Sequence, residues 1–576
     1  MKTNGVFSRR ARVLHIAGSG PAVRGATRAV GRVAGRLLLA VAVVASLGMW
    51  SAVPAQAATI TLVHVNDTHS HLDAWGPKDR NLDGTIGGMA KAATMITEVR
   101  AHEPNVLLLH AGDVFHGDLF FNKYFGVPEF ELMKQLSFDA MAVGNHEFDF
   151  GPDVLAFALG TAFGGETLPL LSANLDMTGY SVLTTWIKPS IIKEVGGVRI
   201  GIFGMTQPDD VLNMPDPVKI LGGYPDTATL LGIAGLTAAQ LRAGGAEVVI
   251  CLSHLGVLYD QAIAANVPGI DIIVGGHDHY VFEQPLAVTN PEGKRTLILQ
   301  AGDHYEYVGK LRFSVKRGAV KVQDYALLPV DRKTPPLLEV QNVVDELKLG
   351  IVATYGDVYR TTLARATRDL EMSTNPKQPK RDSAMGNLIT DALREETGTD
   401  IAITANGVIS EGIFKGPVVG IDVFRPVSYG YDKATGLGLK IATFEITGAE
   451  LVKALETTLS YVGVNEDFLL QVSGMSFQYD AGAPVGSRVL LESVRVQGHP
   501  LNPSATYTAT VNEALALLVP AMGVKVSKLK LLPDLEYNVL KDFIMDLGRV
   551  NYHSEGRILD VTRRQCGVQD EVPPQE

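Results

Sequence analysis

Five short stretches of the chain bring carboxylate, imidazole and amide side chains close together. They are Asn66-Asp67-Thr68-His69, His110-Ala111-Gly112-Asp113, Gly144-Asn145-His146-Glu147, Ser253-His254 and Gly275-Gly276-His277-Asp278-His279. Two divalent cations about 3.5–4 Å apart need a bridging carboxylate together with neutral imidazole and oxygen ligands. Glycines before Asp113, Asn145 and His277 permit tight turns with a close approach of the backbone. These residue types therefore predict a dinuclear centre for two divalent ions, with zinc, manganese and iron as the candidates.

Each stretch follows an apolar run whose length and composition are typical of a buried β-strand. The runs are Ile60–Val65, Val106–Leu109, Ala140–Val143, Val248–Leu252 and Ile270–Val274. In α/β sheets, ligands bind beyond the carboxyl ends of the strands, so five such ends would bring these side chains to one place. A single Asp or His after a strand is usually a cap or an ordinary loop residue. Seven residues at such positions favour a shared metal site instead.

The sequence offers no side-chain nucleophile that competes with this site. It contains no Gly-x-Ser-x-Gly motif, no paired Cys/His signature and no phosphate-binding P-loop. Catalysis through a covalent serine or cysteine intermediate is therefore not indicated.

These motifs resemble the signature of the calcineurin-like metallophosphatases. The longer forms Asn145-His146-Glu147-Phe148-Asp149 and Gly275-Gly276-His277-Asp278-His279 resemble the 5'-nucleotidase branch, which includes bacterial periplasmic nucleotidase/UDP-sugar hydrolases. The similarity extends over essentially the whole chain after its N-terminal segment. It implies an α/β (α+β) fold, in which an N-terminal four-layer metallophosphatase domain is joined by a helix to a smaller α/β 5'-nucleotidase C-terminal domain.

Matched residue by residue, the resemblance implies two metal sites that share Asp113. The first comprises Asp67, His69, Asp113 and His279, and the second comprises Asp113, Asn145, His254 and His277. His146 and Asp149 match the catalytic dyad of the family, in which the histidine stabilises charge on the transferring group or protonates the leaving oxygen. The implied reaction is in-line attack of a metal-bound hydroxide on a phosphate ester.

Several other histidines have no matching role in the family. They are His71, His102, His110, His116 and His304. His110 lies within a predicted strand and is expected to be a core residue or to support the site. For His116 and Asp118, ordinary packing is favoured over a place in the cleft.

The C-terminal domain departs from the nucleoside-binding pattern of the family. Met385–Ala392 resembles its opening helix, but the turn at Asn406 lacks the second glycine and the Ile-Arg that usually follow. Pro426-Val427-Ser428-Tyr429 stands where a Pro-Phe aromatic is expected, and the Gly-Gly-Asp-Gly-aromatic segment after Asn512 is absent. Losing a stacked base forfeits about 1–3 kcal/mol, and losing an arginine removes a bidentate phosphate ligand. Asn406 and Tyr429 remain as candidate substrate contacts, although packing is favoured over contact with a base for Tyr429 and for Tyr431.

Composition and charge describe an ordinary globular protein with an unusual N-terminus. The 576 residues are 46% hydrophobic and 20% charged, which at about 150 residues per domain predicts two or three domains. Residues 1–57 hold eight basic and no acidic residues. Within this segment the basic part is followed by the apolar run Leu37–Trp50 and then by Ala55-Gln56-Ala57. This pattern predicts a signal peptide cleaved near Ala57, because the apolar run is shorter than the roughly 20 residues that span a bilayer. The pair Arg9-Arg10 leaves twin-arginine export as an alternative to the general route.

The remainder of the chain is strongly acidic, with 43 basic and 62 acidic residues. This charge argues against binding to nucleic acid or to an anionic membrane, and the predicted location is periplasmic or secreted. With only two cysteines, Cys251 and Cys566, a disulfide scaffold is excluded. Nothing in the sequence requires these two to pair, and two buried or unpaired thiols are favoured over a disulfide.

The predicted organisation follows from these patterns. Residues 1–57 form the signal peptide, 58–335 the metallophosphatase domain, 336–362 a linker helix, 363–565 the C-terminal substrate domain and 566–576 a polar tail. Apolar residues at helical spacing place the linker helix between Leu337 and Thr354.

The sequence thus predicts an exported dinuclear-metal phosphohydrolase of the 5'-nucleotidase type that acts on a nucleotide or another small phosphate ester. Two alternatives remain. The first is a thiosulfohydrolase-like enzyme on the same scaffold, which the altered substrate pocket keeps open. The second is a non-catalytic binding protein, which the complete ligand set disfavours.

Overall fold

Two β-sheets stacked face to face form the N-terminal domain. In the computed structural model, residues 58–164, 168–208, 217–316, 318–372, 381–463 and 465–562 are described. The first sheet has the strand order Ala319–Pro329, Tyr307–Lys316, Thr59–Val65, Val106–His110, Ala140–Ala142, Leu170–Leu171 and Ile187–Lys188. The second has the order Leu286–Thr289, Arg295–Leu299, Ile272–Val274, Val248–His254, Val198–Thr206 and Ser190–Val195.

Helices cover the outer face of each sheet. Alternate side chains of a strand point to opposite faces, so Leu62 joins the apolar core between the two sheets while Val63 and Val65 pack against helices. The helices on the first sheet are Met89–His102, Leu119–Tyr124, Val127–Gln135 and Pro152–Phe163. Those on the second are Thr227–Ala243 and Val257–Asn266. The result is the predicted four-layer arrangement.

All five predicted strands are present in these sheets. Three of them, Thr59–Val65, Val106–His110 and Ala140–Ala142, are parallel neighbours in the first sheet. The other two, Val248–His254 and Ile272–Val274, are parallel neighbours in the second. The last strand begins two residues later than predicted. Just before it, the Asp271 carboxylate accepts hydrogen bonds from the Val249 amide and the Arg242 guanidinium.

A five-stranded sheet forms the centre of the C-terminal domain. Its order is Leu470–Ser473, Ile401–Ala405, Thr506–Asn512, Lys440–Thr447 and Val526–Leu535. Helices Ala384–Thr397 and Glu536–Leu547 pack on one face, and Gly448–Leu459 and Glu513–Ala521 pack on the other. Smaller sheets contain Gly416–Val419, Thr362–Ala366 and Arg549–Val550, and also His499–Pro500, Arg495–Val496, Met475–Tyr479 and Ile558–Asp560.

The linker helix runs from Leu338 to Tyr355, one residue later at each end than predicted. It packs along the N-terminal domain: the Tyr124 hydroxyl donates to the Leu347 carbonyl at 2.8 Å, and the Leu337 amide donates to the Ala90 carbonyl at 2.8 Å. The helix is therefore held against its neighbours by specific contacts.

Several predictions fall outside the described residues. These are the signal peptide, the polar tail and Cys566. Cys251 is buried in its strand as a free thiol. None of the helices in the described part of the chain is long and apolar enough to cross a membrane. The residue numbers given above for the domain boundaries remain predictions.

Candidate metal and catalytic centre

The carboxyl ends of the five strands meet at one edge of the two stacked sheets. All seven predicted ligands lie there in the loops or last residues of those strands, and five of them are buried: Asp67, His69, Asp113, Asn145 and His254. The ligands thus come from two sheets, with Asp67 to Asn145 contributed by the first and His254 to His279 by the second.

One group of ligand atoms comes from Asp67, His69 and His279. These atoms lie within 4.8 Å of one another. His69 Nε2 is 3.2 Å from His279 Nε2, which in turn is 3.5 Å from Asp67 Oδ1. Two ring nitrogens that converge with a carboxylate oxygen form a set that suits one divalent ion.

A second group, from Asp113, His254 and His277, lies beside the first. Its ligand atoms are also within 4.8 Å of one another. His254 Nε2 is 2.8 Å from Asp113 Oδ2, and His277 Nδ1 is 3.2 Å from Asn145 Oδ1. Asp113 Oδ2 is also 4.0 Å from His69 Nε2 of the first group. Asp113 therefore lies between the two groups.

Hydrogen bonds fix the orientation of three ligand histidines. The Nδ1 atoms of His69 and His254 lie 3.2 and 2.7 Å from the carbonyl oxygens of Phe115 and Ala111. His279 Nδ1 lies 3.1 Å from Asp303 Oδ2. Because each partner is an acceptor, Nδ1 carries the proton and Nε2 keeps its lone pair towards the cluster. This donor set fits two divalent metal ions.

The electrostatics of the cluster reflect buried carboxylates that need a positive partner. Burial lowers the pKa of His254, but the Asp113 and Asp67 carboxylates overcome this effect and raise it to about 10. Burial likewise opposes the charged form of His279, whose pKa Asp67 and Asp303 raise to about 9. Divalent cations would supply the same compensating charge more strongly.

Five of the ligands adopt an unusual backbone conformation. The φ angles of Asp67, His69, Asp113, His277 and His279 are 49°, 44°, 58°, 80° and 57°. Each such left-handed residue costs about 1–3 kcal/mol and persists only where its surroundings hold it. Turning these side chains towards one point therefore lowers the stability of the folded chain.

The predicted dyad is formed. His146 Nδ1 lies 2.7 Å from Asp149 Oδ2 within the short 3₁₀ turn His146–Phe148 and its C-cap. Burial lowers the pKa of His146, but Asp149 and Asp113 outweigh it and hold that pKa well above the usual value. The His146 ring is 5.3 Å from that of His69. The His146–Asp149 pair thus lies next to the candidate metal ligands.

The two candidate substrate contacts have different surroundings. The Tyr429 ring lies 5.8 Å from the His146 ring, although Tyr429 belongs to the other domain. Asn406 is engaged within its own domain, where its Oδ1 accepts from Gln471 at 2.9 Å and its Nδ2 donates to the Glu466 carbonyl.

Three further residues, His116, Asp303 and His304, lie next to the centre. His116, for which packing was favoured, stacks 5.7 Å from His146, and its Nε2 accepts from the Gly430 amide of the C-terminal domain. Asp303 and His304 follow the strand Arg295–Leu299, and their order after Gly302 repeats the strand-glycine-acid pattern seen at Asp113. That pattern could have revealed Asp303 as the partner of His279.

His110 behaves as predicted. It is buried, its Nε2 lies 3.0 Å from Thr68 Oγ1, and its Nδ1 accepts from the Gly112 amide at 3.1 Å. The side chain thereby supports the two loops that carry the ligands Asp67 and Asp113.

Comparisons with solved structures identify the fold. A 5'-nucleotidase precursor from Thermus thermophilus is 31% identical, with 88% of this chain and 100% of that chain covered and a TM-score of 0.75. A sulfate thiohydrolase, SoxB, from the same organism has a TM-score of 0.71 over 88% of this chain and 97% of that chain. At 20% identity, the second likeness shows the shared fold alone.

Comparisons of sequence identify both domains. The trifunctional nucleotide phosphoesterase YfkN of Bacillus subtilis is 28% identical over 543 residues, covering 87% of this chain; the match spans 35% of that relative's length. Residues 60–281 match the calcineurin-like phosphoesterase family, and residues 360–517 match the 5'-nucleotidase C-terminal domain. The chain therefore belongs to the 5'-nucleotidase family of calcineurin-like phosphoesterases, and it is a metal-dependent phosphoric ester hydrolase.

Proposed function

We propose that the protein is an exported phosphohydrolase that binds two divalent ions and cleaves a nucleotide or another small phosphate ester. The observation that carries this proposal is the position of Asp113 between two ligand groups, next to the His146–Asp149 pair. The first ion would be held by Asp67, His69, Asp113 and His279, and the second by Asp113, Asn145, His254 and His277. Such ions activate water for attack at neutral pH and neutralise the phosphoryl oxygens.

Other residues would orient the ligand histidines and supply the proton donor. The backbone carbonyls of Phe115 and Ala111 and the Asp303 carboxylate hold three imidazoles with Nε2 ready to ligate. Asp149 accepts a hydrogen bond from Nδ1 of His146. The Nε2 atom is then free to donate to the transferring group or to the leaving oxygen. Asp149 favours the charged imidazolium and raises the pKa of His146, which suits a side chain that stabilises negative charge on the transferring group.

The substrate class rests on the relatives and on the junction between the domains. The relative from Thermus thermophilus is named a 5'-nucleotidase and YfkN a nucleotide phosphoesterase. Tyr429 lies beside His146, where an aromatic ring could meet the leaving group of a phosphate ester. Arg425, also at this junction, is engaged by Asp118. Because the Arg425 cation is already paired, the surface formed by Tyr429 and Arg425 suits a nucleoside or another uncharged leaving group better than a second phosphate.

Export is proposed from the sequence of residues 1–57. Sequencing the N-terminus of protein recovered from outside the cytoplasm would test it. A mature chain that begins near Ala58 is expected, and a chain that keeps residues 1–57 and stays in the cytoplasm would refute export.

The decisive experiment is phosphate release by purified mature protein supplied with manganese or zinc. The panel contains AMP, UDP-glucose, a 2',3'-cyclic nucleotide, an aryl phosphate and a bis-aryl phosphate. Turnover of AMP or of the aryl phosphate, lost in Asp113→Ala, is the expected result. Silence on every ester while two ions per chain are bound would contradict the proposal. In that case sulfate release from thiosulfate attached to a carrier protein tests the thiosulfohydrolase alternative.

A further inference from the structure

Glu147 is a buried carboxylate with an unusual number of backbone partners. Only 1% of the residue is exposed. Its Oε1 accepts from the Val114 amide at 2.7 Å and the Phe115 amide at 3.2 Å, and its Oε2 accepts from the Gly144 amide at 2.6 Å and the Asp113 amide at 3.1 Å. A carboxylate has about four lone-pair positions, so these four donors use all of them. Glu147 is therefore not a free ligand for a metal ion.

These hydrogen bonds join two loops that carry different parts of the centre. Three of the donors follow the strand Val106–His110, and the fourth follows the strand Ala140–Ala142. The loops also meet through the ligand itself, because the His146 amide donates to Asp113 Oδ1 at 3.0 Å. The contact is tight: a Cβ atom at Gly144 would lie 2.1 Å from Asp113 Oδ1.

This arrangement opposes a displacement of Asp113, whose left-handed backbone is one that an L-residue adopts only where it is held. The four hydrogen bonds that Glu147 accepts fix the backbone amides of both loops around that conformation. Because Glu147 is itself a carboxylate close to Asp113, it acts through these hydrogen bonds and not by relieving charge repulsion.

We propose that Glu147 is a positioning residue that holds Asp113 in its ligating geometry before metal binds. The proposal rests on the function given above, in which Asp113 is the ligand common to both ions. Glu147 thereby lowers the free-energy cost of forming the dinuclear centre, since the loop need not be ordered when the ions arrive.

The test is Glu147→Gln in the full chain. The glutamine amide nitrogen cannot accept a hydrogen bond, so two of the four hydrogen bonds from backbone amides are lost with little change in side-chain volume. Metal affinity, measured by competition with a chelator, is expected to fall about 10- to 100-fold, as for other residues that orient metal ligands. The matched control is Glu536→Gln, the same change at a C-terminal domain glutamate that is 3% exposed and bonded to Asn512. Its metal affinity should match the wild type.

Unchanged metal affinity in folded Glu147→Gln would overturn the proposal. If this variant fails to fold, hydrogen–deuterium exchange of the metal-free wild type decides instead. Slow exchange of the Val114 and Phe115 amides without metal supports the proposal, whereas exchange that slows only after metal is added contradicts it. A wild type that binds no metal yet protects these amides would refute the proposed function and leave the loop-positioning role supported.

Discussion

Arg425 of the C-terminal domain donates its Nε–H to Asp118 Oδ2 of the N-terminal domain at 2.8 Å, and both side chains are buried. Asp118 is also the N-cap of the helix Leu119–Tyr124, where it accepts from the Phe120 amide. Glu411 Oε2 lies 3.9 Å from the same guanidinium. The buried cation at the domain junction is thus neutralised by protein carboxylates, and this ion pair is one of the contacts that join the two domains.

Removing one member of this pair should destabilise the folded protein strongly. Arg425→Met leaves Asp118 buried without its cation, which typically costs about 3–5 kcal/mol. Asp118→Asn keeps the helix cap and removes the charge, so the double variant Asp118→Asn/Arg425→Met should be less destabilised than Arg425→Met alone. Urea unfolding of the three variants measures the coupling. A cost below about 1 kcal/mol for Arg425→Met, the range of an exposed pair, would show that the pair is not buried in solution.

Substitutions in the metal centre should separate ligands from the catalytic dyad. Asp113→Ala removes the residue between the two ligand groups, so both ions and nearly all turnover should be lost. His146→Ala should retain two ions, because Nε2 of His146 is assigned to substrate, yet lower kcat about 10²- to 10⁴-fold. Metal content by mass spectrometry and kcat are measured on the same samples. A near-normal kcat in His146→Ala would refute the dyad.

The place where the candidate ligands meet could be predicted from the sequence, whereas most of the residues that support them could not. Asp67, Asp113 and His254 stand next to apolar runs that any α/β interpretation places as parallel strands, and parallel strands end at a common edge. The left-handed φ of those aspartates depends on how the loops pack and leaves no trace in residue type. The ion pair of Arg425 and Asp118 joins residues 307 positions apart. No local pattern indicates such a contact.

Substrate selection at the domain junction can be tested at Tyr429. The backbone next to it is held by the N-terminal domain, because the Gly430 amide donates to His116 and the Gly430 carbonyl accepts from Asn122. If the Tyr429 ring meets the base of a nucleotide, Tyr429→Ala should raise KM for AMP by the equivalent of about 1–3 kcal/mol, roughly 5- to 150-fold. Metal content should not change.

The control for this experiment is Tyr431→Ala in the same loop. Tyr431 packs on Phe125 and Phe150, so its loss should lower stability more than KM. Equal KM values for AMP in Tyr429→Ala and the wild type would assign Tyr429 to packing alone. That result would agree with the alternative drawn from the sequence.

A pH-dependent contribution to stability is expected from Glu536. Burial raises its pKa to about 7, although the hydrogen bond from Asn512 opposes this rise. The unfolded chain ionises this group from about pH 4.5, so between that pH and pH 7 the folded state binds more protons and stability falls as pH rises. Glu536→Gln abolishes this loss. Relative to the wild type, the variant should therefore gain about 3 kcal/mol in free energy of unfolding between pH 4.5 and pH 8. Urea unfolding at the two pH values measures the gain, and a difference between the proteins that does not vary with pH would mean that Glu536 is ionised in the folded state.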